Sequence, residues 1–189
     1  MTKRYRIPLL VLVVVLQTAA LVGMVAVKQR TLATGTPVLL KTEPVDPRSL
    51  FRGDYVTLNY AIGSLDYGEV GGDRDFERHD TVYVMLRKGE TYWEPVSAHH
   101  EMPRRAPDSV VIRGEVRWTG VWTGTEQHDG INVRYGIESY FVPEGEGRAI
   151  ELPRNEGKVA ILVAVDARGD AAIRAVLVDG EVRHEETLF

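Results

Sequence analysis

Residues 52–62 read RGDYVTLNYAI, a turn signal followed by a run in which polar and apolar side chains alternate. Gly53 and Asp54 favour a turn, because glycine accepts positive φ angles and aspartate hydrogen-bonds its own backbone. Successive side chains of a β-strand point to opposite faces, so the alternation predicts a half-buried strand that begins at Tyr55. The predicted core-facing residues of this strand are Val56, Leu58, Tyr60 and Ile62.

The segment before this strand is predicted to be a stiff, charged loop. Residues 43–51 contain Pro44 and Pro47, which exclude a helix interior. Asp46, Arg48 and Arg52 lie in the same region, close to the Gly53-Asp54 turn. We therefore expect a loop whose charges form ion pairs or face a binding groove.

The rest of the chain after residue 36 also has the pattern of short strands separated by glycine and proline. Two hairpins are predicted, one from residues 81–86 and 91–96 and one from residues 158–165 and 171–178. The strand at 158–165 is apolar on both faces, which is typical of a central strand. Further strands are predicted at 37–42, 110–118 (with a bulge at Gly114) and 131–142 (interrupted at Gly136). The pattern predicts an all-β domain, a barrel-like or coiled antiparallel sheet.

Four connecting segments are expected to lie outside this sheet. Residues 63–80 predict an exposed excursion, residues 99–107 and 120–130 predict loops, and the chain after Asp179-Gly180 predicts a short tail. Trp118 and Trp122 are expected at the core or its edge, with at least part of Trp122 exposed.

The turn and strand at residues 53–60 carry a family resemblance. Gly53-Asp54-Tyr55-x-x-Leu58-x-Tyr60 resembles the motif of the GDYxxLxY family, and residues 135–147, which include Tyr135, Gly136, Glu138, Tyr140, Glu144 and Gly145, resemble a second block of that family. The resemblance spans most of residues 39–182. It implies a bacterial protein with one N-terminal membrane helix and an extracytoplasmic domain of no established activity. It also implies a multi-spanning membrane protein as a partner, because family members are often encoded beside such proteins.

The N-terminal residues predict a membrane anchor. Residues 7–27 carry no charge, and at ~1.5 Å per residue a helix of this length reaches the ~30 Å of a bilayer core. We assign residues 1–6 to the cytoplasm, 7–27 to a transmembrane helix, 28–36 to a polar tether and 37–189 to the extracytoplasmic domain. The basic start favours a cytoplasmic N-terminus in the bacterial inner membrane. A cleaved signal peptide is the alternative, but no small-x-small cleavage site directly follows the apolar run.

Composition narrows the classes of function. Cys is absent, which excludes thiol catalysis and cysteine zinc sites. The first 30 residues hold five of the 23 basic residues and no acidic one, so the remaining chain has 18 basic and 27 acidic residues, a net charge of −9. An acidic domain argues against nucleic acid and against charge-driven binding of anionic headgroups.

A hydrolase is the alternative hypothesis, in two forms. Residues 47–54 are similar to the strand entry of Ser–Lys signal peptidases, but the register of that family places Pro44 at the nucleophile and Glu94 or Pro95 at the base. Ser49 and Lys88 are present, yet Lys88 is predicted in a hairpin turn, where it would be hydrated rather than activated. The carboxylate form would need two of Glu138, Glu144, Glu146 and Glu151 facing each other across a cleft.

Metal and cofactor chemistry are not predicted. The five histidines, His79, His99, His100, His128 and His184, lack a ligand motif and are interpreted as solvated loop residues. The leading hypothesis is instead a non-catalytic interaction protein, accessory to a membrane partner. Its predicted groove lies where the two family-like blocks meet, with Tyr55, Tyr135 and Tyr140 as amphipathic contacts.

Overall fold

The computed structural model describes residues 6–44, 55–123, 126–141, 150, 153 and 156–186. It is mostly β, with half of its residues in strands, a curled half-barrel sheet and one N-terminal apolar helix, so the predicted fold class is confirmed. The elements, in chain order, are α1 (Arg6–Thr34), β1 (Thr36–Glu43), β2 (Tyr55–Thr57), β3 (Asn59–Tyr60), a 3-10 turn (Ala61–Gly63), β4 (Ser64–Asp66), β5 (Gly71–Gly72), β6 (Thr81–Lys88), β7 (Trp93–His99), β8 (Ser109–Thr123), β9 (Glu126–Arg134), β10 (Ser139–Phe141), β11 (Val159–Val165), β12 (Ala171–Val178) and β13 (Glu181–Glu185).

The described strands form three sheets that share one core. Their orders are β13-β12-β11-β1-β3, β4-β9-β8-β6-β7-β5 and the two-stranded β10-β2. Neighbouring strands are antiparallel except β5 and β7. The two predicted hairpins are present as β6–β7 and β11–β12. β11 lies in the middle of its sheet and is buried on both faces, as its continuous apolar sequence predicts.

The segment that begins at Tyr55 connects all three sheets. Residues 55–57 pair with β10, Tyr60 pairs with Thr42 of β1, and Leu65 of β4 pairs with Ile131 of β9. The predicted core face is confirmed, because Val56, Leu58, Tyr60 and Ile62 are all at most 3% exposed. The predicted single strand is nevertheless divided into β2 and β3, since the chain changes pairing partner at Leu58.

The segment expected to be a polar tether is helical up to Thr34, and its last turn packs on the domain. Leu32 is buried against Ala164 and Ala172 of the five-stranded sheet. At Gly35 an added Cβ would lie 2.9 Å from the Ala164 Cβ, so only glycine fits this close approach without adjustment. The polar sequence of this segment did not indicate that α1 continues through it, because only Thr31 and Leu32 of residues 28–34 are buried.

Three expected irregular segments contain strands. Residues 63–80 contribute β4 and β5 and bury Val70 and Phe76, so the prediction of an exposed excursion is wrong there. The predicted loop at 120–130 is largely the distal part of the β8–β9 hairpin, and the predicted tail forms β13. These strands are short or carry few inward apolar residues, and therefore lack a clear period-2 signal.

The position of the bulge in β8 differs from the prediction, and this changes which way Trp118 faces. Gly114 pairs regularly with Val82, while the register shifts between Val116 and Trp118. The extra residue at Arg117 breaks the alternation, so Trp118 does not share the buried face of Val116 and is 47% exposed. Of the two positions expected for Trp118, the core and its edge, the core is wrong for this reason. The Trp122 side chain lies outside the described part.

Candidate functional site

The two family-like blocks meet along the β2–β10 pair. Val56 lies opposite Tyr140, and Thr57 lies opposite Ser139. Where β2 ends, the Leu58 amide donates to the carbonyl oxygen of Glu138 at 2.8 Å. The short segment 55–58 therefore holds residues 138–141 in register. The two family-like blocks thus contact each other, as the groove hypothesis requires.

Two tyrosine hydroxyls lock the blocks together in both directions. Tyr60 Oη donates to the Ile137 carbonyl at 2.6 Å, and Tyr135 Oη donates to the Ile62 carbonyl at 2.6 Å. Burial raises the pKa of both phenols well above its usual value, and the negative charge of Glu138 raises it further. Both groups are therefore neutral hydrogen-bond donors at physiological pH.

The predicted role of the tyrosines as contacts for a ligand does not match their burial. Tyr135 and Tyr140 are each 7% exposed, so their rings belong to the core instead of a groove surface. Only the backbone of Tyr55 is described. Leu58 is fully buried and serves packing.

Glu138 shapes the turn between β9 and β10. Its carboxylate accepts hydrogen bonds from the Tyr135 amide at 2.6 Å and from the Gly136 amide at 3.0 Å. Gly136 has a φ of +79°, a left-handed conformation that glycine adopts without strain. The turn is thus fixed by one side chain, with Tyr135 directed inward and Gly136 at the surface.

An open cleft of about 780 Å³ lies beside this turn. Its floor and walls come from β6, β8, β9, β12 and the turn itself. The charged residues that line it are Arg113, Glu115, Arg117, Arg134, Glu138 and Asp170. We call this feature the arginine cleft.

Most charges of the arginine cleft are already paired. Arg113 Nη2 lies 2.5 Å from Asp170 Oδ1, and Arg134 Nη2 lies 3.1 Å from Glu115 Oε2. His79 Nδ1 lies 2.9 Å from the other Glu115 oxygen. The hydrogen bonds from His79 and then from Arg134 hold the pKa of the Glu115 carboxyl below its usual value.

Arg117 differs from the other two arginines. Its guanidinium makes no ion pair with any described carboxylate, and its Cζ lies 5.0 Å from the centroid of the exposed Trp118 ring. A cation on an aromatic face keeps its hydrogen-bond donors available for an incoming anion. Arg117 is therefore the group in the described cleft best placed to receive a carboxylate or phosphate.

Seven of the predicted site residues lie outside the described part of the chain. They are Asp46, Arg48, Arg52, Gly53, Asp54, Glu144 and Gly145. Ser49, Glu146 and Glu151, named for the hydrolase hypothesis, lie outside it as well. Lys88 is exposed at the end of β6, opposite Trp93.

The histidines are distributed differently from the prediction. His99, His128 and His184 lie on β7, β9 and β13, so only His79 and His100 occupy loops. The His100 ring stacks on Phe76 with centroids 4.1 Å apart, and its Nε2 lies 3.1 Å from Asp75. Within the ranges that the structure describes, no three His, Asp or Glu side chains are placed to hold one metal ion.

The sequence contains a signal for the arginine cleft outside the family motif. Arg113, Glu115 and Arg117 occupy every second position of one strand, so their charges lie on a single face of the sheet. Packing of the sheet does not require charges there, so the pattern indicates a charged surface. Arg134 comes from β9 and Asp170 from the turn before β12, and only the tertiary structure brings them to this face.

The fold and the cleft define a class: a mostly β protein with one N-terminal apolar helix and a charged cleft next to its motif segment. Comparison with protein families then places the chain in one of them. The family model described as "GDYXXLXY protein" matches residues 17–176, and the chain belongs to that family. Searches of curated proteins and of solved structures found no significant match.

Proposed function

We propose that this protein is a non-catalytic interaction protein of the bacterial cell envelope, anchored in the inner membrane by α1 with its β domain outside the cytoplasm. The helical segment Pro8–Thr34 contains an 18-residue stretch with a mean hydropathy of 2.6, and the rest of the protein does not bury that stretch. Such a helix is long enough to span a bilayer. The basic residues before it support a cytoplasmic N-terminus.

The arginine cleft is the observation that carries the binding role. The motif segment fixes the 135–139 turn at the edge of the cleft, and Arg117 is left without a carboxylate partner in the described chain. A partner carboxylate would form an ion pair with Arg117, as Asp170 does with Arg113 and Glu115 does with Arg134. We propose a multi-spanning membrane protein as that partner, since a domain anchored beside the bilayer meets other membrane proteins at high local concentration.

The test is purification of the full-length protein from its native membrane in mild detergent, with mass spectrometry of the proteins that accompany it. We expect one multi-spanning protein in a fixed ratio. Arg117→Glu should remove this partner, because it places a negative charge where the partner carboxylate binds. Arg183→Glu, the same charge change on the exposed strand β13, is the matched control and should retain it.

Two results would contradict the proposal. Purification of the wild-type protein as a monomer without an accompanying protein would mean that no stable partner exists. Recovery of the same amount of partner with Arg117→Glu as with the wild type would mean that the arginine cleft is not the binding site. Covalent labelling of Ser49 by a serine-reactive probe would favour the hydrolase hypothesis instead.

A further inference from the structure

The β11–β12 turn lies alongside the end of α1. Thr36, the first residue of β1, pairs with Val165, the last residue of β11. Thr31, one helical turn before the end of α1, has its Oγ1 3.2 Å from Asp166 Oδ2. β1 leaves the helix toward the domain, so the turn at residues 166–170 extends in the opposite direction, back along the helix toward its apolar part.

This geometry places the turn at the level of the lipid headgroups. The uncharged run ends at Val27, and Thr31 lies four residues beyond it, or about 6 Å along a helix axis. The headgroup layer on each side of the hydrocarbon core is roughly 5–8 Å thick. A turn that contacts Thr31 and points toward Val27 therefore lies within that layer when α1 spans a bilayer.

Basic side chains gather at this level. Arg105 Nη2 donates to the Asp166 carbonyl at 2.8 Å, and Arg168 is exposed in the turn itself. Arg104 is the exposed neighbour of Arg105, while Lys28 and Arg30 are exposed on the last turns of α1. We call Lys28, Arg30, Arg104, Arg105 and Arg168 the basic collar.

The nearby carboxylates are largely engaged within the fold. Asp166 Oδ1 accepts from the amides of Arg168 at 2.8 Å and Asp170 at 3.0 Å, and Asp170 is paired with Arg113. Asp108 is exposed at the end of the same loop as Arg104. The collar therefore keeps an excess of positive charge, although the chain after residue 30 has a net charge of −9.

We propose that the basic collar binds the phosphates of anionic phospholipids in the leaflet from which the domain emerges. The inference rests on the proposed membrane anchoring. The net negative charge of the domain alone predicts that it repels anionic lipids. The fold, however, separates the basic collar from the acidic residues, and headgroups interact mainly with charges within a Debye length of about 8–10 Å. Each basic residue near an anionic surface strengthens association about fivefold.

The test uses the full-length chain in phosphatidylcholine nanodiscs that contain trace phosphatidylglycerol. The chain has no cysteine, so Ala167→Cys, in the turn, carries a donor fluorophore at a single site. Energy transfer is measured to the same acyl-chain acceptor on phosphatidylglycerol and, separately, on phosphatidylcholine. We expect greater transfer to phosphatidylglycerol, and we expect the difference to shrink as salt is raised.

Charge variants identify the groups responsible. Arg104→Gln, Arg105→Gln and Arg168→Gln together should lower the preference for phosphatidylglycerol by about a hundredfold in association constant. The control removes three charges from exposed side chains farther along the domain, Lys158→Gln, Arg174→Gln and Arg183→Gln, and should leave the preference unchanged. A donor at Glu181, about 25 Å along β12 from the turn, should show no preference.

The outcomes separate this inference from the proposed function. If a protein that stays in the nanodisc shows equal energy transfer to both lipids, the basic collar does not bind anionic lipids, while the proposed membrane anchoring still holds. Equal preference in the two triple variants also overturns it. Failure of the protein to incorporate into nanodiscs or to float with vesicles overturns both.

Discussion

Tyr60 and Tyr135 show how single side chains join segments 75 positions apart in the chain. Each donates to a carbonyl beside the other, Tyr60 to Ile137 and Tyr135 to Ile62. The last tyrosine of the motif, Tyr60, thus supplies a buried hydrogen-bond donor to the Ile137 carbonyl, in addition to the backbone pairing of β2 with β10. A phenylalanine would fill the same volume but would leave a buried carbonyl oxygen without this partner.

We expect Tyr60→Phe and Tyr135→Phe each to lower the free energy of unfolding by about 1–3 kcal/mol, the cost of an unsatisfied buried polar group. Because both bonds join the same two segments, the double variant should lose less than the sum of the single losses. Urea unfolding of the full-length protein in detergent measures these values.

Tyr83→Phe is the control for that pair, since Tyr83 is half-buried on β6 and its hydroxyl has no partner in the described chain. It should change stability by less than about 0.5 kcal/mol. Strict additivity of the two tyrosine variants would show that the bonds act independently.

At the scale of elements, the junction between α1 and β1 is a packed contact instead of a flexible linker. The Gly35 amide donates to the Thr31 carbonyl, and Leu32 packs against the small residues Ala164 and Ala172. Small residues on both sides allow the helix end to lie against the sheet. The orientation of the domain relative to the helix is therefore set by packing.

Gly35→Ala should disturb this junction. The new Cβ would lie 2.5 Å from the Thr31 carbonyl oxygen and 2.9 Å from the Val165 amide nitrogen, both of them backbone atoms that cannot turn away. We expect a loss of about 1–3 kcal/mol from overpacking. Hydrogen exchange at the end of β11 should be at least tenfold faster, because local opening then costs less free energy.

Gly23→Ala is the matched control on the same helix, because nothing lies within 4 Å of its added Cβ. It should leave exchange in β11 unchanged. Unchanged exchange with Gly35→Ala as well would mean that the junction is not held by this contact.

At the scale of the whole molecule, residues 55–66 unite the three sheets. Three short strands within this segment each pair with a different sheet. Leu58 lies at the change from β2 to β3 and is fully buried. The sheets should therefore unfold as one cooperative unit.

Leu58→Ala should cost about 2–5 kcal/mol, as expected for a buried leucine that leaves a cavity. Hydrogen exchange should rise together in β1, β9 and β10, because the cavity lies at their common connection. Val182→Ala, at a residue 56% exposed on β13, is the control and should have little effect. A rise confined to β10 would mean that the sheets open separately.

The sequence by itself determined the apolar helix, the β class, the two hairpins and the inward side of the motif strand. In each case the signal is local: a long uncharged run in residues 7–27, a period of two at Val56, Leu58 and Tyr60, or turn residues between apolar runs. Burial on one face imposes these patterns directly on neighbouring residues.

Only the tertiary structure decided the site and the docking of the helix. Arg113 and Arg134 share one cleft with Asp170 because the turn before β12 lies beside the β8–β9 hairpin, and no local pattern encodes that alignment. The single inserted residue Arg117 reversed the side to which Trp118 points. Thr31 and Asp166 meet for the same reason, since a contact between residues 135 positions apart depends on sheet order, which side-chain periodicity does not contain.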